Sequence, residues 1–195
     1  MIWLGIDKGM IWTLPNILTM GRLFLLPFIV ALFFLETDFG PLATWAIFGL
    51  YVVASLTDFL DGWAARKFNQ VSRFGTFLDP IADKIYVGSL LILLVAFGRL
   101  EGLWLIAVLL IFFREFMISG LREFLGPQDV QMPVTNLAKW KTSLQMLSLG
   151  FLILGPALPY MLEIGQWSLL AAAILTLITG WGYMKTGMDF IRKMP

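Results

Sequence analysis

The sequence predicts an all-α integral membrane protein, and three observations lead to that prediction. The 195-residue chain is 59% hydrophobic and 14% charged, and its mean hydropathy is +0.84, whereas soluble domains average about 45–50% apolar and about 25% charged residues. Uncharged runs of 19, 21 and 21 residues occur at Phe39–Thr57, Thr142–Leu162 and Ile164–Met184. Because about 20 helical residues cross a hydrocarbon core about 30 Å thick, each run can span a membrane.

A short interfacial helix is expected before the first span, within residues 1–16. The apolar residues Trp3, Ile6, Met10 and Ile11 suit a helix that lies on the membrane surface, with Trp12 at headgroup depth. The segment contains an acidic residue and lacks a small-residue cleavage site, so we expect it to be retained rather than removed as a secretory signal.

Three further spans carry charge at one end: Ile17–Leu35, residues 79–98 and Gly102–Phe124. Together with the uncharged runs they predict one membrane domain over residues 1–195, in which 1–16 is interfacial, 17–184 holds six transmembrane helices and 185–195 is a tail.

The basic residues predict the orientation, because cytoplasmic segments carry an excess of Lys and Arg. Of the 14 basic residues, only Arg99 lies in the loops predicted on one side, which are Glu36–Pro41, Arg99–Glu101 and Gly155–Gln166. Both termini are therefore predicted to be cytoplasmic. The net charge of +1 says little about partners, and no nucleic-acid partner is expected.

Four aspartates stand at the predicted cytoplasmic ends of helices 2 and 3: Asp58, Asp61, Asp79 and Asp83. The first two are three residues apart and the last two are four apart, so each pair lies on one face of its helix. Because a carboxylate at membrane depth costs about 2.5–3.5 kcal/mol or more, such residues usually face a functional cavity. A short polar connection at 66–74 would make the two helices antiparallel neighbours, with the four carboxylates facing one cleft that opens to the cytoplasm.

The chain contains no His and no Cys, which removes the commonest general base, the commonest zinc ligand and thiolate chemistry. Carboxylate oxygens suit hard cations such as Mg²⁺ or Mn²⁺, and two such ions can bind a pyrophosphate. Arg66 suits phosphate oxygens, and Gly62, Ala65 and Gly75 would allow a ligand to approach the backbone. Intramembrane ion pairs would also explain the aspartates, and contacts between helices would also explain the small residues, but helix packing does not require four acids in one cleft. Pro80 is expected in the first turn of helix 3, where proline is tolerated.

The aspartate region resembles the CDP-alcohol phosphatidyltransferase family. Eight positions match its signature, D-x-x-D-G-x-x-A-R followed by G-x-x-x-D-x-x-x-D: Asp58, Asp61, Gly62, Ala65, Arg66, Gly75, Asp79 and Asp83. The resemblance implies transfer of a substituted phosphate from a CDP-linked lipid to an alcohol, with release of CMP. It also implies that the four aspartates hold two divalent cations and that Asp83 takes the proton of the acceptor hydroxyl. The residues implied to contact CDP-diacylglycerol are Gly62, Ala65, Arg66, Ser72 and Gly75.

The acceptor is predicted from four basic residues near the cytoplasmic ends of helices 4 and 5: Arg114, Arg122, Lys139 and Lys141. An acceptor with a phosphate dianion needs several cationic donors, whereas serine or choline does not. Cations at helix ends are also ordinary topology markers that reach the headgroups.

Three segments resemble the bacterial family members that use sn-glycerol 3-phosphate and make phosphatidylglycerophosphate: TLPNILTMGRLFLLPF, FFREFMISGLREF and LAKWKTSLQM. That resemblance implies that glycerol 3-phosphate is held by the four basic residues and that Asn16 contacts CDP-diacylglycerol. It further implies a homodimer among the lipids of a bacterial inner membrane.

Two alternatives remain open at this point. A sister enzyme would use another acceptor, such as inositol phosphate or serine. A cation transporter would place ionisable groups near the middle of the membrane or show internal repeats, whereas all four aspartates lie at one end. Direct attack by the acceptor is favoured, but a covalent two-step route also fits the sequence.

Overall fold

The polypeptide forms six helices in the part of the chain that the computed structural model describes, which is residues 13–68, 72–126 and 136–192. Side chains are described there except at 59, 61–66, 68, 73, 136, 138, 139 and 186. The helices are α1 (Leu14–Phe39), α2 (Pro41–Phe68), α3 (Arg73–Ala96), α4 (Trp104–Leu125), α5 (Asn136–Leu154) and α6 (Met161–Ile191). The prediction of an all-α protein is confirmed over these residues.

Helix α1 begins and ends at residues that favour helix boundaries. The hydroxyl of Thr13 accepts a hydrogen bond from the backbone N–H of Asn16 at 3.4 Å, and Pro15 lies in the first turn. Beyond the other end, Gly40 has a φ of +53°, a backbone conformation that glycine adopts without a Cβ penalty. This turn allows α2 to begin directly after α1.

Helices α1, α2 and α3 form one compact unit, in which α1 packs against both of the others. Residues three or four positions apart form the buried face of α1: Pro15, Asn16, Thr19, Arg22, Leu26, Ile29 and Phe33. Helices α2 and α3 meet through Tyr51 and Tyr86, whose rings stack with their centroids 6.3 Å apart. The polar half of the α1 face is therefore buried inside this unit.

Helices α4, α5 and α6 form a second compact unit, in which α6 packs against α4 and α5. A Cβ placed at Gly165 of α6 would lie 2.7 Å from Cγ and 2.9 Å from the backbone nitrogen of Leu152 in α5. Glycine therefore permits the close approach of these two helices, as small residues commonly do between membrane helices.

Within the described residues, four helical segments are long and apolar enough to cross a membrane: α1, the Pro41–Asp58 part of α2, α4 and α6. Large apolar side chains such as Phe24, Phe113 and Trp181 are exposed, as expected where a protein faces lipid. The chain is therefore a multi-pass membrane protein. Six spans remain a prediction, and the expected interfacial helix falls largely on residues 1–12, outside the described residues.

Helix α3 begins earlier than the sequence predicted. The Ser72 hydroxyl accepts a hydrogen bond from the backbone N–H of Gly75 at 2.9 Å, and the helix starts at Arg73. Of the connection expected at 66–74, residues 66–68 belong to α2 and residues 73–74 to α3. Pro80 lies inside α3 rather than in its first turn. The physical reason is the serine cap, which satisfies a free N–H and is a stronger start signal than the proline.

Arg99, the basic residue expected on the opposite side of the membrane, is buried and has a structural contact. Its guanidinium Nη1 donates to the carbonyl oxygens of Leu152 at 3.2 Å and Ile153 at 2.8 Å. These are among the last carbonyls of α5, where a cation also interacts favourably with the helix dipole. This contact explains why a basic residue occurs in a loop that is predicted on the non-cytoplasmic side.

Candidate active site

Three polar side chains of α1 point into the first unit. Asn16, Thr19 and Arg22 lie three residues apart, and at most 3% of the surface of each is exposed. Polar groups buried in a membrane protein require partners. Each of the three finds such partners on residues 58–83, the region that carries the aspartate signature.

Arg22 joins two aspartates that belong to different helices. Its Nη1 atom donates to Oδ1 of Asp83 in α3 at 2.8 Å and to Oδ1 of Asp58 in α2. The Arg22 side chain is 3% exposed, whereas those of Asp58 and Asp83 are 41% and 56% exposed. The two carboxylates therefore have a cation on the buried side and remain accessible on the other side.

Asp79 is held by the preceding turn of α1. The Thr19 hydroxyl lies 2.9 Å from Oδ1 of Asp79 and 3.1 Å from the carbonyl oxygen of Pro15. Since a hydroxyl carries a single proton, it donates to one of these oxygens at a time. Asp79, like Asp58 and Asp83, is thus oriented by a side chain of α1.

Asn16, Ser72 and Gly75 come together at the start of α3. The Asn16 amide lies within hydrogen-bond distance of the Ser72 hydroxyl, at 2.9 Å from Nδ2 and 3.0 Å from Oδ1. A Cβ at Gly75 would lie 2.5 Å from Oδ1 of Asn16, so a larger residue there would force the Asn16 amide to move. Three of the residues predicted to contact CDP-diacylglycerol are therefore neighbours.

The remaining predicted residues of the signature are Asp61, Gly62, Ala65 and Arg66. All four lie in α2, but their side chains are outside the described part of the structure. Among the described residues, no three acidic side chains are grouped closely enough to form a metal site. The four-aspartate site stays a prediction.

The described carboxylates nevertheless have the chemistry that a divalent cation requires. Asp58 and Asp83 direct oxygens at one cationic group, the Arg22 guanidinium, and both carboxylates are partly open. Hard cations such as Mg²⁺ and Mn²⁺ bind carboxylate oxygens and usually retain waters or substrate phosphates. The donor set therefore fits such an ion.

A second polar cluster lies in the other unit, between α4, α5 and α6. Oε1 of Glu115 accepts hydrogen bonds from Nη1 of Arg114 at 3.0 Å and from Nζ of Lys141. The Arg114 and Lys141 side chains are 11% and 7% exposed. Arg114 also lies over the ring of Tyr183, with 5.9 Å between the guanidinium carbon and the ring centroid. Gly180 leaves room for it, since a Cβ there would be 3.0 Å from Cγ of Arg114.

Two of the four residues predicted to bind the acceptor phosphate, Arg114 and Lys141, are thus brought together. Arg122 is exposed in the last turn of α4, two helical turns beyond Arg114. The side chain of Lys139 lies outside the described residues.

Sequence reasoning did not identify Thr19, Arg22 or Glu115 as site residues. A signal existed for Arg22, because an ionisable residue inside an apolar helix usually has a functional partner. Thr19 shares the helix face of Arg22, since it lies three residues earlier. Glu115 had the equivalent signal, an acid next to Arg114 at the end of an apolar segment.

Comparison with known proteins places these residues in a family. A model described as CDP-alcohol phosphatidyltransferase matches residues 12–178. A Rickettsia bellii protein named CDP-diacylglycerol–glycerol-3-phosphate 3-phosphatidyltransferase is 46% identical over 175 residues, covering 88% of this chain and 93% of its own. A Cereibacter sphaeroides protein of that name is 35% identical over 218 residues, covering 93% and 98%. A protein of Oryza sativa subsp. japonica named cardiolipin synthase (CMP-forming) is 39% identical over 153 residues, covering 72% and 45%.

Proposed function

Since the chain belongs to the CDP-alcohol phosphatidyltransferase family, we propose that it transfers the phosphatidyl group of CDP-diacylglycerol to sn-glycerol 3-phosphate. The products are phosphatidylglycerophosphate and CMP. The observation that carries the proposal is the 46% identity, over most of both chains, to a relative named for this reaction. The complete aspartate signature in residues 58–83 supports the same chemistry.

The aspartates would hold the divalent cations on which the family generally depends. Asp58, Asp61, Asp79 and Asp83 would provide the oxygen ligands for two ions, Mg²⁺ or Mn²⁺. Bound there, such ions would polarise the pyrophosphate and offset negative charge on the leaving CMP. Thr19 and Arg22 orient the described aspartates from the buried side, which leaves their accessible oxygens for the substrate side.

Asp83 would act as the general base. Its side chain is 56% exposed, so an acceptor hydroxyl can reach the carboxylate. Asp83 takes the proton from the primary hydroxyl of glycerol 3-phosphate, and the hydroxyl oxygen forms a bond to the phosphorus that carries diacylglycerol. The bond from that phosphorus to the bridging oxygen breaks, and CMP leaves. In a chain without histidine, a carboxylate is the expected base.

The residues at the start of α3 would bind the CDP-diacylglycerol. Asn16, Ser72 and Gly75 lie together in the same unit as the aspartates. Gly62, Ala65 and Arg66 follow Asp58 in α2 and would complete the contacts to the nucleotide and its phosphates. The glycines allow close approach to the backbone, and the arginine supplies a planar donor for phosphate oxygens.

The acceptor phosphate would bind the basic residues of the second unit. Arg114 and Lys141 already hold one carboxylate oxygen between them, which is the arrangement that a phosphate oxygen also requires. Arg122 and Lys139 would add charge near the same helix ends. Serine and choline carry no phosphate group, so their binding would not require such a cluster of cations.

Orientation and assembly complete the proposal. The protein would lie in a bacterial inner membrane with six spans, both termini in the cytoplasm, and its site open to cytoplasmic glycerol 3-phosphate. The lipid substrate would enter from the inner leaflet. The chain would act as a homodimer.

The decisive experiment measures CMP release by the purified protein in detergent with Mg²⁺ or Mn²⁺ and CDP-diacylglycerol. Single acceptors would be supplied in parallel: sn-glycerol 3-phosphate, glycerol, serine, inositol phosphate and phosphatidylglycerol. CMP release with glycerol 3-phosphate alone is expected. CMP release only with another alcohol would show that glycerol 3-phosphate is not the acceptor. No CMP release with any acceptor would refute the transferase proposal.

A further inference from the structure

The contact between Arg22 and two aspartates goes beyond the requirements of helix packing. One nitrogen of the guanidinium donates to carboxylates on two other helices, 36 and 61 residues away in the chain. The arginine is almost completely buried, whereas both carboxylates are partly open. A buried cation thus stands behind two anions that face the accessible side.

Without a cation between them, the neighbouring carboxylates of Asp58 and Asp83 would repel each other. A guanidinium is permanently charged and presents several donors in a fixed plane. Arg22 therefore holds both carboxylates close together, and it connects α2 and α3 to α1. One turn earlier in α1, the Thr19 hydroxyl contacts Asp79 in a similar way, but it carries no charge.

We propose that Arg22 is a positioning residue that serves as the counter-cation of Asp58 and Asp83 in the metal-free protein and competes with divalent cations for them. The proposal rests on the assignment of these aspartates as metal ligands under the proposed function. A carboxylate oxygen that accepts from Arg22 offers less electron density to a metal ion, and the fixed positive charge repels that ion. Arg22 thereby weakens metal binding while it stabilises the metal-free protein.

Arg22 is thus expected to affect stability and metal affinity in opposite directions, and this separates the proposed role from a purely structural one. A residue that merely supports the fold would weaken metal binding when it is replaced. A competing counter-cation would strengthen metal binding when its charge is removed, although the metal-free protein becomes less stable.

The test compares wild type, Arg22→Gln and a control, Lys185→Gln, which removes one positive charge from an exposed position of α6. Thermal unfolding is measured in detergent with EDTA, and Mn²⁺ binding is measured by electron paramagnetic resonance of the free ion. For Arg22→Gln we expect the metal-free midpoint to fall by roughly 4–8 °C. We also expect the apparent Kd for Mn²⁺ to fall about tenfold, the equivalent of one charge-assisted hydrogen bond. Lys185→Gln should change neither quantity.

An unchanged or weaker affinity of folded Arg22→Gln for Mn²⁺ would overturn the inference. If Arg22→Gln cannot be recovered in folded form, Arg22→Lys provides the same test, because one ammonium group holds two carboxylates less well than a guanidinium. Its apparent Kd should fall about threefold, and an unchanged Kd would overturn the inference. Absence of Mn²⁺ binding by the wild type would instead refute the metal assignment and this inference together, whereas CMP release tests the proposed function separately.

Discussion

Lys141 donates a hydrogen bond to Oε1 of Glu115, the same oxygen that accepts from Arg114 at 3.0 Å. One anion therefore separates two buried cations that would otherwise repel each other. The arrangement parallels that of Arg22, in which one cation separates two carboxylates. In both clusters the excess charge has the sign that would attract the proposed ligand: a metal ion to the aspartates, and a phosphate to the two cations.

Replacing Glu115 with Gln should destabilise the protein, because two neighbouring cations lose their shared counter-ion. A loss of about 1–3 kcal/mol in the free energy of unfolding is expected, below the value for a fully buried pair because Glu115 is 26% exposed. Chemical unfolding in detergent measures this loss. Glu123→Gln, at an exposed position of the same helix, should have little effect.

Glycerol 3-phosphate should restore part of the stability of Glu115→Gln, since its phosphate can replace the missing carboxylate between Arg114 and Lys141. Glycerol, which lacks the phosphate, should not. Equal stabilisation by both compounds would argue against an acceptor site at this cluster.

Replacing Gly75 with Ala should impair the use of CDP-diacylglycerol. The added Cβ would lie 2.5 Å from Oδ1 of Asn16 and 3.2 Å from the Ser72 hydroxyl, so the contact between these two side chains must change. A decrease of about 10- to 100-fold in kcat/KM for CDP-diacylglycerol is expected, as for a small displacement of a substrate-positioning group. Gly120→Ala is the matched control, since no atom lies within 4 Å of its added Cβ.

Replacing Gly180 with Ala should affect the acceptor rather than the lipid. The added Cβ would lie 3.0 Å from Cγ of Arg114, and this flexible side chain can move by a few tenths of an ångström. The KM for glycerol 3-phosphate should rise about threefold, less than the loss of a charge-assisted hydrogen bond would produce. Gly182→Ala, which has open space around its Cβ, should behave as wild type. A selective change in the KM for CDP-diacylglycerol would contradict the assignment of Arg114.

Replacing Asp83 with Asn should abolish proton abstraction while leaving the fold intact. The asparagine oxygen can still accept from Arg22, whose distance to Asp83 is 2.8 Å. A decrease of at least about 100-fold in kcat is expected for the loss of a general base. Thermal unfolding with EDTA checks the fold, and Asp189→Asn, an exposed position in α6, is the control. Unchanged turnover would exclude Asp83 as the base.

Replacing Arg99 with Met should destabilise the second unit without a direct effect on catalysis. The carbonyl groups of Leu152 and Ile153 would lose a charged donor in a buried environment, at an expected loss of about 1–3 kcal/mol. The unfolding midpoint in detergent should fall, while the KM values of the folded fraction stay unchanged. Arg192→Met, at an exposed residue after α6, is the control.

The fold class and the reaction could be predicted because both depend on local patterns. Uncharged runs such as Phe39–Thr57 have the length that a membrane span requires. The spacing of Asp79 and Asp83 places both on one helix face, whatever packs against it. Helix ends were less predictable, since the start of α3 depends on the hydrogen bond from Gly75 to Ser72 rather than on Pro80.

The amino-acid sequence alone predicted a membrane protein without histidine, and it pointed to four aspartates as the candidates for metal ligands and base. Only the tertiary structure showed which oppositely charged side chains pair with the aspartates and with the basic residues. Arg22 is 36 residues from Asp58 and 61 from Asp83, and Glu115 is 26 from Lys141. Helical spacing does not extend over such separations. The pairing of charges follows from how distant helices pack, because a buried ion must find its partner on whichever helix lies beside it.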